Sequence, residues 1–150
     1  MKIRKAVGAI VHYNDNYLLV KKEKINENEN KTIPHWDFPK GGIKKGETSK
    51  EALFRELDEE LGTKSFRIIK ECTNKLTFSF PKEIFDCIGY HSQETVVYLV
   101  EFIGKLEEIK VDGNELSEFK FFTKEKASSL LKKESSIFFD NETNHFKEDK

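Results

Sequence analysis

The chain reads as an α/β fold, an α/β/α sandwich with a mixed central sheet and a helix on each side. Three observations predict this. Strand-like runs rich in β-branched and aromatic residues recur along the 150 residues. Two helical segments carry clear start signals, near Thr48 and at Thr123. No internal repeat or linker-like composition break divides the sequence, so residues 1–150 are read as one domain.

The elements follow in order. "KAVGAIVHY" (Lys5 to Tyr13), the turn "NDN" and "YLLVKK" make a hairpin. "EKINENENKTIP" (Glu23 to Pro34) is an Asn- and Glu-biased solvated loop. "HWDF" (His35 to Phe38) is a short strand ending at Pro39, and "PKGG" breaks the chain. Thr48 and Glu51 form a T-x-x-E capping box, so a helix runs from there to about Leu61 and stops at Gly62. "SFRIIKEC" and "KLTFSF" read as strands, and "ETVVYLVEFIG" (Glu94 to Gly104) is the strongest strand of all. "EFKFF" (Glu118 to Phe122) is a last short strand. Thr123 then caps a helix through about Leu131, and "SSIFFDNETNHF" is a candidate further helix.

Composition narrows the function classes. Apolar residues make up 37% and charged residues 35%, with 13 Phe to supply a core. A domain this size buries roughly 70% of its unfolded surface, so it needs no disulfide or metal merely to fold. The balance of 26 basic against 27 acidic residues argues against a protein that coats nucleic acid through bulk charge, and no DNA partner is expected. A small basic pocket for one phosphate chain stays open. Cys72 and Cys87 lack C-x-x-C or metal spacing and read as buried free thiols, which fits a reducing cytoplasm. "MKIRKAVGAIVHYNDN" is too short and interrupted in its apolar part for a signal peptide or span, so no membrane partner is expected. His12, His35, His91 and His145 lack metal spacing, and no Ser/His/Asp or Cys/His nucleophile pattern stands out.

The acidic helix carries the chemistry. "KGGIKKGETSKEALFRELDEELGT" (Lys40 to Thr63) concentrates Glu51, Glu56, Asp58, Glu59 and Glu60. At about 100° per residue, Leu53, Phe54, Leu57 and Leu61 share one arc that packs on the sheet. Glu56, Glu59 and Glu60 occupy the neighbouring arc at spacings i, i+3 and i+4, so their carboxylates can converge. Arg55 is placed to pair with or orient one of them. A glycine-rich loop precedes the helix, and its backbone can approach a ligand closely. Clustered carboxylates beside exposed backbone oxygens suit a hard divalent cation, Mg²⁺ or Mn²⁺, and such a cation suits phosphates.

At this point the segment resembles the Nudix box, G-x5-E-x7-R-E-U-x-E-E-x-G-U, where U is a bulky apolar residue. Gly41, Glu47, Arg55, Glu56, Leu57, Glu59, Glu60 and Gly62 match in register across 23 residues, and Thr63 stands where an apolar residue is usual. The order of the remaining elements also resembles the Nudix fold. The resemblance implies an enzyme, a metal-dependent hydrolase of a phosphoanhydride bond in which water attacks phosphorus. It implies Glu59 and Glu60 as metal ligands, Glu56 as ligand or base, and the Lys40 backbone carbonyl as a further ligand. Glu47 and Arg55 brace loop and helix. An acid outside the box often contributes; Glu115 is the candidate and Glu118 the competitor.

"HWDFPKGGI" and "CIGYHSQETVVYLVEF" are similar to stretches of dinucleoside polyphosphate hydrolases and RNA 5′-pyrophosphohydrolases. The expected substrate is therefore a dinucleoside polyphosphate such as diadenosine tetraphosphate. The alternatives are an RNA 5′ end, a noncanonical nucleoside triphosphate, or a non-catalytic nucleotide-binding role. Arg4 and Lys40 are expected on phosphate, with Lys21 and Lys22 as weaker candidates. Tyr98, Tyr90, Phe78 and Phe80 are the aromatics available as a base platform, with Tyr98 taken forward. The Tyr that dinucleotide hydrolases carry after the box has no counterpart in "FSF". A monomer or homodimer is expected.

Overall fold

The computed structural model describes residues 2–22, 34–111 and 116–144. The chain runs β1 (Ile3–Tyr13), β2 (Asn16–Lys22), β3 (His35–Asp37), β4 (Lys40–Gly42), α1 (Ser49–Leu61), β5 (Phe66–Glu71), β6 (Leu76–Ser79), α2 (Lys82–Ile88), β7 (Ser92–Phe102), a 3-10 turn (Leu106–Glu108), β8 (Leu116–Phe122), α3 (Lys124–Leu130) and α4 (Lys133–Asn144). The loop expected over residues 23–34 lies outside the described residues except for Pro34.

The hairpin closes as a two-residue turn. Asn14 and Asp15 both have positive φ, and Tyr13 pairs with Asn16. Short polar side chains tolerate that conformation, and it matches the twist of the flanking strands. β1 and β7 run parallel through the middle of the sheet, from Ile3 opposite Ser92 to His12 opposite Glu101. All other strand pairs are antiparallel, so the sheet is mixed.

Each central strand divides one edge between two partners. β2 pairs with β1 at Val11–Tyr13 and β4 pairs with it at Ala6–Gly8, with the Pro39 carbonyl taking the Ala9 N–H between them. β5 pairs with β7 from Tyr98 to Phe102 and β6 pairs from Ser92 to Thr95, with the Cys72 N–H donating to the Val97 carbonyl between them.

The period of two along the strands sorts side chains into two cores. Val7, Ala9 and Val11, Leu18 and Val20, and Tyr98, Val100 and Phe102 face α1 through Ala52, Leu53, Leu57 and Leu61. Ile10, Tyr17 and Leu19, and Val97 and Leu99 face α3 and α4 through Ala127, Leu131, Phe138 and Phe139. Burying each such leucine stabilises by about 1.5–3 kcal/mol. The sandwich is therefore as expected, with two helices on the second side. The candidate helix near the C-terminus forms as α4.

Of the two thiols expected to be buried, one is and one is not. Cys72 is buried, and burial, helped by the neighbouring Glu142, pushes it up to about 12. Cys87 is exposed because it sits on α2, which buries no side chain. Among the described residues no helix is long and apolar enough to cross a membrane.

Candidate active site

A cavity of about 880 Å³ opens beside the N-terminal ends of β1 and β7. Its lining includes Arg4 of β1 and Gln93 of β7, Lys40, Gly41 and Gly42 of β4, and Thr77 to Pro81 at β6. Glu56, Glu59 and Glu60 reach it from α1. The helix is placed by its caps. Thr48 Oγ1 accepts from the Glu51 N–H at 3.1 Å, and Glu51 Oε1 accepts from the Thr48 N–H at 2.9 Å. Gly62, at φ 74°, ends it by donating to the Asp58 carbonyl.

Arg55 ties the loop to the helix. Its Nε and Nη2 donate to Glu47 at 2.6 and 2.9 Å in a bidentate fork. Nη2 also donates to the Gly42 carbonyl at 2.8 Å, and Nη1 donates to Glu56 Oε2 at 2.6 Å. Hydrogen bonds from Arg55, then from the Lys44 N–H, hold the Glu47 carboxyl down to about 2. Glu47 raises the Arg55 guanidinium in return. The Glu56 carboxylate lies directly against Gly41, in the space a Cβ there would fill. Only glycine admits that approach.

The acids share one cavity, and each has a protein contact. Glu60 accepts from the Lys40 N–H at 3.2 Å, and Glu59, half-exposed, lies 3.4 Å from Arg55 Nη1. Among the described residues no three His, Cys, Asp or Glu side chains are already gathered around a metal-sized space. The donor set nonetheless fits a hard divalent cation: three carboxylates line one cavity with the backbone of Gly41 and Gly42 beside them.

The cations of the cavity are held separately. Arg4 Nη1 donates to Gln93 Oε1 at 2.6 Å, and its Nη2 is 2.9 Å from where a Cβ of Gly42 would stand. Lys40 Nζ lies 3.1 Å from Asp37 Oδ2 and Lys22 Nζ lies 3.8 Å from it. Burial pushes the Asp37 carboxyl up, but Lys40 and Lys22 outweigh it and leave the group below its ordinary value. Burial lowers Lys40 in turn, with Asp37 opposing.

A family model described as the NUDIX domain matches residues 2–140. The chain belongs to the Nudix family. An RNA pyrophosphohydrolase of Pelagibacter ubique (strain HTCC1062) is 33% identical over 136 residues, covering 87% of this chain and 83% of that protein. Nudix hydrolase 27, chloroplastic, of Arabidopsis thaliana is 40% identical over 96 residues, 59% of this chain but only 42% of that protein. A C. elegans Ap4A hydrolase in a binary complex superposes with a TM-score of 0.70 at 17% identity, covering 95% of this chain and 96% of that one. That last likeness is one of fold.

Against this Nudix frame the expected site residues sort clearly. Glu47, Arg55, Glu56, Glu59, Glu60, Arg4 and Lys40 all lie in or beside the cavity. Tyr98 does not. It is 1% exposed, faces α1 in the core, and its hydroxyl lies 2.6 Å from Ser49 Oγ, so it offers no base platform. Tyr90 is absent from the lining as well, whereas Phe78 and Phe80 line it. Glu118 pairs with Lys21 at 3.8 Å outside the cavity, and Glu115 lies outside the described residues, as does His145. Thr63, the departure from the box, is buried and satisfied: its hydroxyl donates to Glu108 Oε1 at 3.0 Å and accepts from the Ser65 N–H at 3.0 Å. Sequence reasoning missed Asp37, Gln93 and Lys132; Gln93 and Lys132 reach the cavity through contacts distant in sequence. A signal existed for Asp37 alone, as an acid three residues before Lys40.

Proposed function

We propose that this Nudix hydrolase cleaves a phosphoanhydride bond in the 5′-triphosphate end of an RNA. The observation that carries the reading is one cavity holding two charge sets, the acids of α1 and the cations Arg4, Lys22 and Lys40. A polyphosphate needs both, acids to hold cations against it and bases to receive its outer phosphates. The RNA pyrophosphohydrolase name of the Pelagibacter relative supports the RNA end. The dinucleoside polyphosphate expected first from the sequence stands second, since it shares the bond chemistry but loses Tyr98 as a platform.

Glu56, Glu59 and Glu60, with the Lys40 backbone carbonyl, would hold Mg²⁺ or Mn²⁺. When bound, such ions supply charge that offsets the phosphates and acidify water. Glu56 or Glu59 accepts the proton of the attacking water as its oxygen bonds to phosphorus and the bridging P–O bond breaks. Arg55, braced by Glu47, fixes the Glu56 carboxylate, while Arg4 and Lys40 orient the chain of phosphates.

The test supplies Mg²⁺ or Mn²⁺ and compares a 5′-triphosphorylated oligoribonucleotide, diadenosine tetraphosphate and a set of nucleoside triphosphates. Pyrophosphate or phosphate release from the RNA is expected at the highest kcat/KM. Turnover of either other class at least about tenfold better, roughly 1.4 kcal/mol in transition-state binding, overturns the RNA reading. Glu59→Gln is expected to fold and to lose at least about 100-fold in turnover.

A further inference from the structure

The last turn of α1 is poorly supported from within. Asp58, Glu59 and Glu60 stand there in succession at the negative end of the helix dipole, and no basic residue shares the turn. Lys64 and Lys110 nearby are exposed, so water and salt screen them. Arg55 holds Glu56 at 2.6 Å but meets the half-exposed Glu59 only at 3.4 Å. Two of the three cavity acids therefore sit on a turn that needs support from outside the helix.

The chain after β7 supplies it. The Lys110 N–H donates to the Leu61 carbonyl at 2.8 Å and the Ile103 N–H to the Ser65 carbonyl at 2.9 Å, so this segment spans the junction between α1 and β5. Ile109 anchors it in the core beneath α1. Between these points Glu108 turns its carboxylate back on the junction. Oε1 accepts from the Thr63 hydroxyl at 3.0 Å and from the Ser65 hydroxyl at 2.7 Å, and Oε2 accepts from the Lys105 N–H at 3.2 Å. The socket is tight: a Cβ on Gly104 would stand 2.6 Å from Glu108 Oε1 and 2.7 Å from the Ser65 Cβ. The Ser65 hydroxyl, then the Lys105 N–H and the Thr63 hydroxyl, hold the Glu108 carboxyl below its ordinary value, so it stays an acceptor. Thr63 departs from the Nudix box, and here the departure supplies a donor. An apolar residue in its place would leave Glu108 short of that donor and the Ser65 N–H short of an acceptor.

We propose that Glu108, through Thr63 and Ser65, is a positioning residue that keeps the last turn of α1 wound, so that Glu59 and Glu60 stand ready beside Glu56 before a divalent cation arrives. None of Thr63, Ser65 and Glu108 lines the cavity, so their effect on it passes through the helix. Carboxylates ordered against their own repulsion during folding need not be ordered by the cation, which binds more tightly for it. This rests on the reading of those acids as cation ligands. Glu56 has its own brace in Arg55 and should be indifferent to the clamp.

Hydrogen exchange without metal, and Mn²⁺ binding read by electron paramagnetic resonance, test this on the full chain. In Glu108→Ala and in Thr63→Val, the amides of Glu59 to Gly62 should exchange at least about tenfold faster, while those of Ala52 and Leu53 hold. Glu108→Gln and Thr63→Ser keep the contact and should stay within about threefold of wild type. Mn²⁺ should bind Glu108→Ala at least about fivefold more weakly. Hydrolysis should need about that much more Mn²⁺ to half-saturate, with kcat at saturating Mn²⁺ within about twofold. Ile10→Val loosens the other core and should lower the melting temperature without moving either reading. Wild-type exchange in the last turn of Glu108→Ala overturns the proposal. An equal shift of Mn²⁺ binding in Ile10→Val also does, since general stability would then account for it. If Glu59→Gln weakens Mn²⁺ binding and Glu108→Ala leaves it within about twofold of wild type, the positioning role falls and the cation ligands stand. If Glu59→Gln leaves Mn²⁺ affinity unchanged while exchange still depends on Glu108, the cation ligands fall and the clamp stands. Where Glu108→Ala does not fold, Thr63→Val decides by the same readings.

Discussion

Replacing Gly41 with alanine tests the site by one methyl group. Gly41 lies in β4 opposite Val7, in backbone that any residue adopts, so the fold tolerates alanine there. The new Cβ would overlap the Glu56 carboxylate, which must withdraw by on the order of 1 Å. The displaced group is the end of a flexible side chain, so the backbone need not move. Losing the Arg55–Glu56 hydrogen bond costs about 1.5–3 kcal/mol, and the stiffer unfolded chain returns about 0.4–1 kcal/mol. The net is about 0.5–2.6 kcal/mol, or a melting temperature lower by roughly 1–10 °C for a chain of this length. Catalysis should suffer far more, because a 1 Å misplacement of a reacting group costs about 100-fold. The assay pairs a thermal melt with steady-state hydrolysis of triphosphorylated RNA. A folded Gly41→Ala protein turning over at the wild-type rate would mean that the Glu56 carboxylate does nothing at that spot. Complete loss of folding would mean that β4 is not as described.

The remaining predictions address the brace, the thiols and the core. Glu47 has a folded pKa near 2 against an ordinary 4.5, so its stabilisation is full above about pH 4.5 and is lost as pH falls toward 2. Melting temperatures of wild type and Glu47→Gln should therefore differ at neutral pH and converge through that window; a constant gap refutes the pairing with Arg55. In the folded protein at about pH 8, a thiol reagent should label exposed Cys87 and leave Cys72 untouched until denaturation, as mass spectrometry would read. Tyr98→Phe removes the contact to Ser49 and should cost about 0.5–1.5 kcal/mol in denaturant unfolding, with KM unchanged. A raised KM would return Tyr98 to the substrate.

What could be read beforehand was local. The capping box at Thr48 and the stop at Gly62 are short-range signals, and α1 begins and ends where they stand. Alternation in "VGAIV" and "VVYLVEF" set the strands and, by parity, the two cores. The same parity would have put Tyr98 with Val100 and Phe102 on the α1 side, away from any substrate. β4 is three residues of K-G-G with no side-chain pattern, and it is a strand only because β1 offers it an edge. α2 carries Ile84, Phe85 and Ile88 at helical spacing but buries none of them, and Pro81 before it and Gly89 after it mark its ends. Half of the site was legible for the same reason. Arg55 reaches Glu47 and Glu56 within one loop and helix, whereas Arg4 meets Gln93, and Lys132 meets Phe78, across the whole chain.

The divided edges of β1 and β7 have an engineering consequence. The short pieces β4 and β6 carry cavity-lining residues, while β2 and β5 hold the far halves of the same edges. Each short piece is thus an exchangeable cassette, docked on a parallel spine that its neighbour continues to clamp. Swapping residues 76–81 for the equivalent stretch of another Nudix protein would rewrite what the cavity prefers while leaving the spine's pairing in place. Chimeras cut at these two seams would inherit preference from the insert and thermal tolerance from the host.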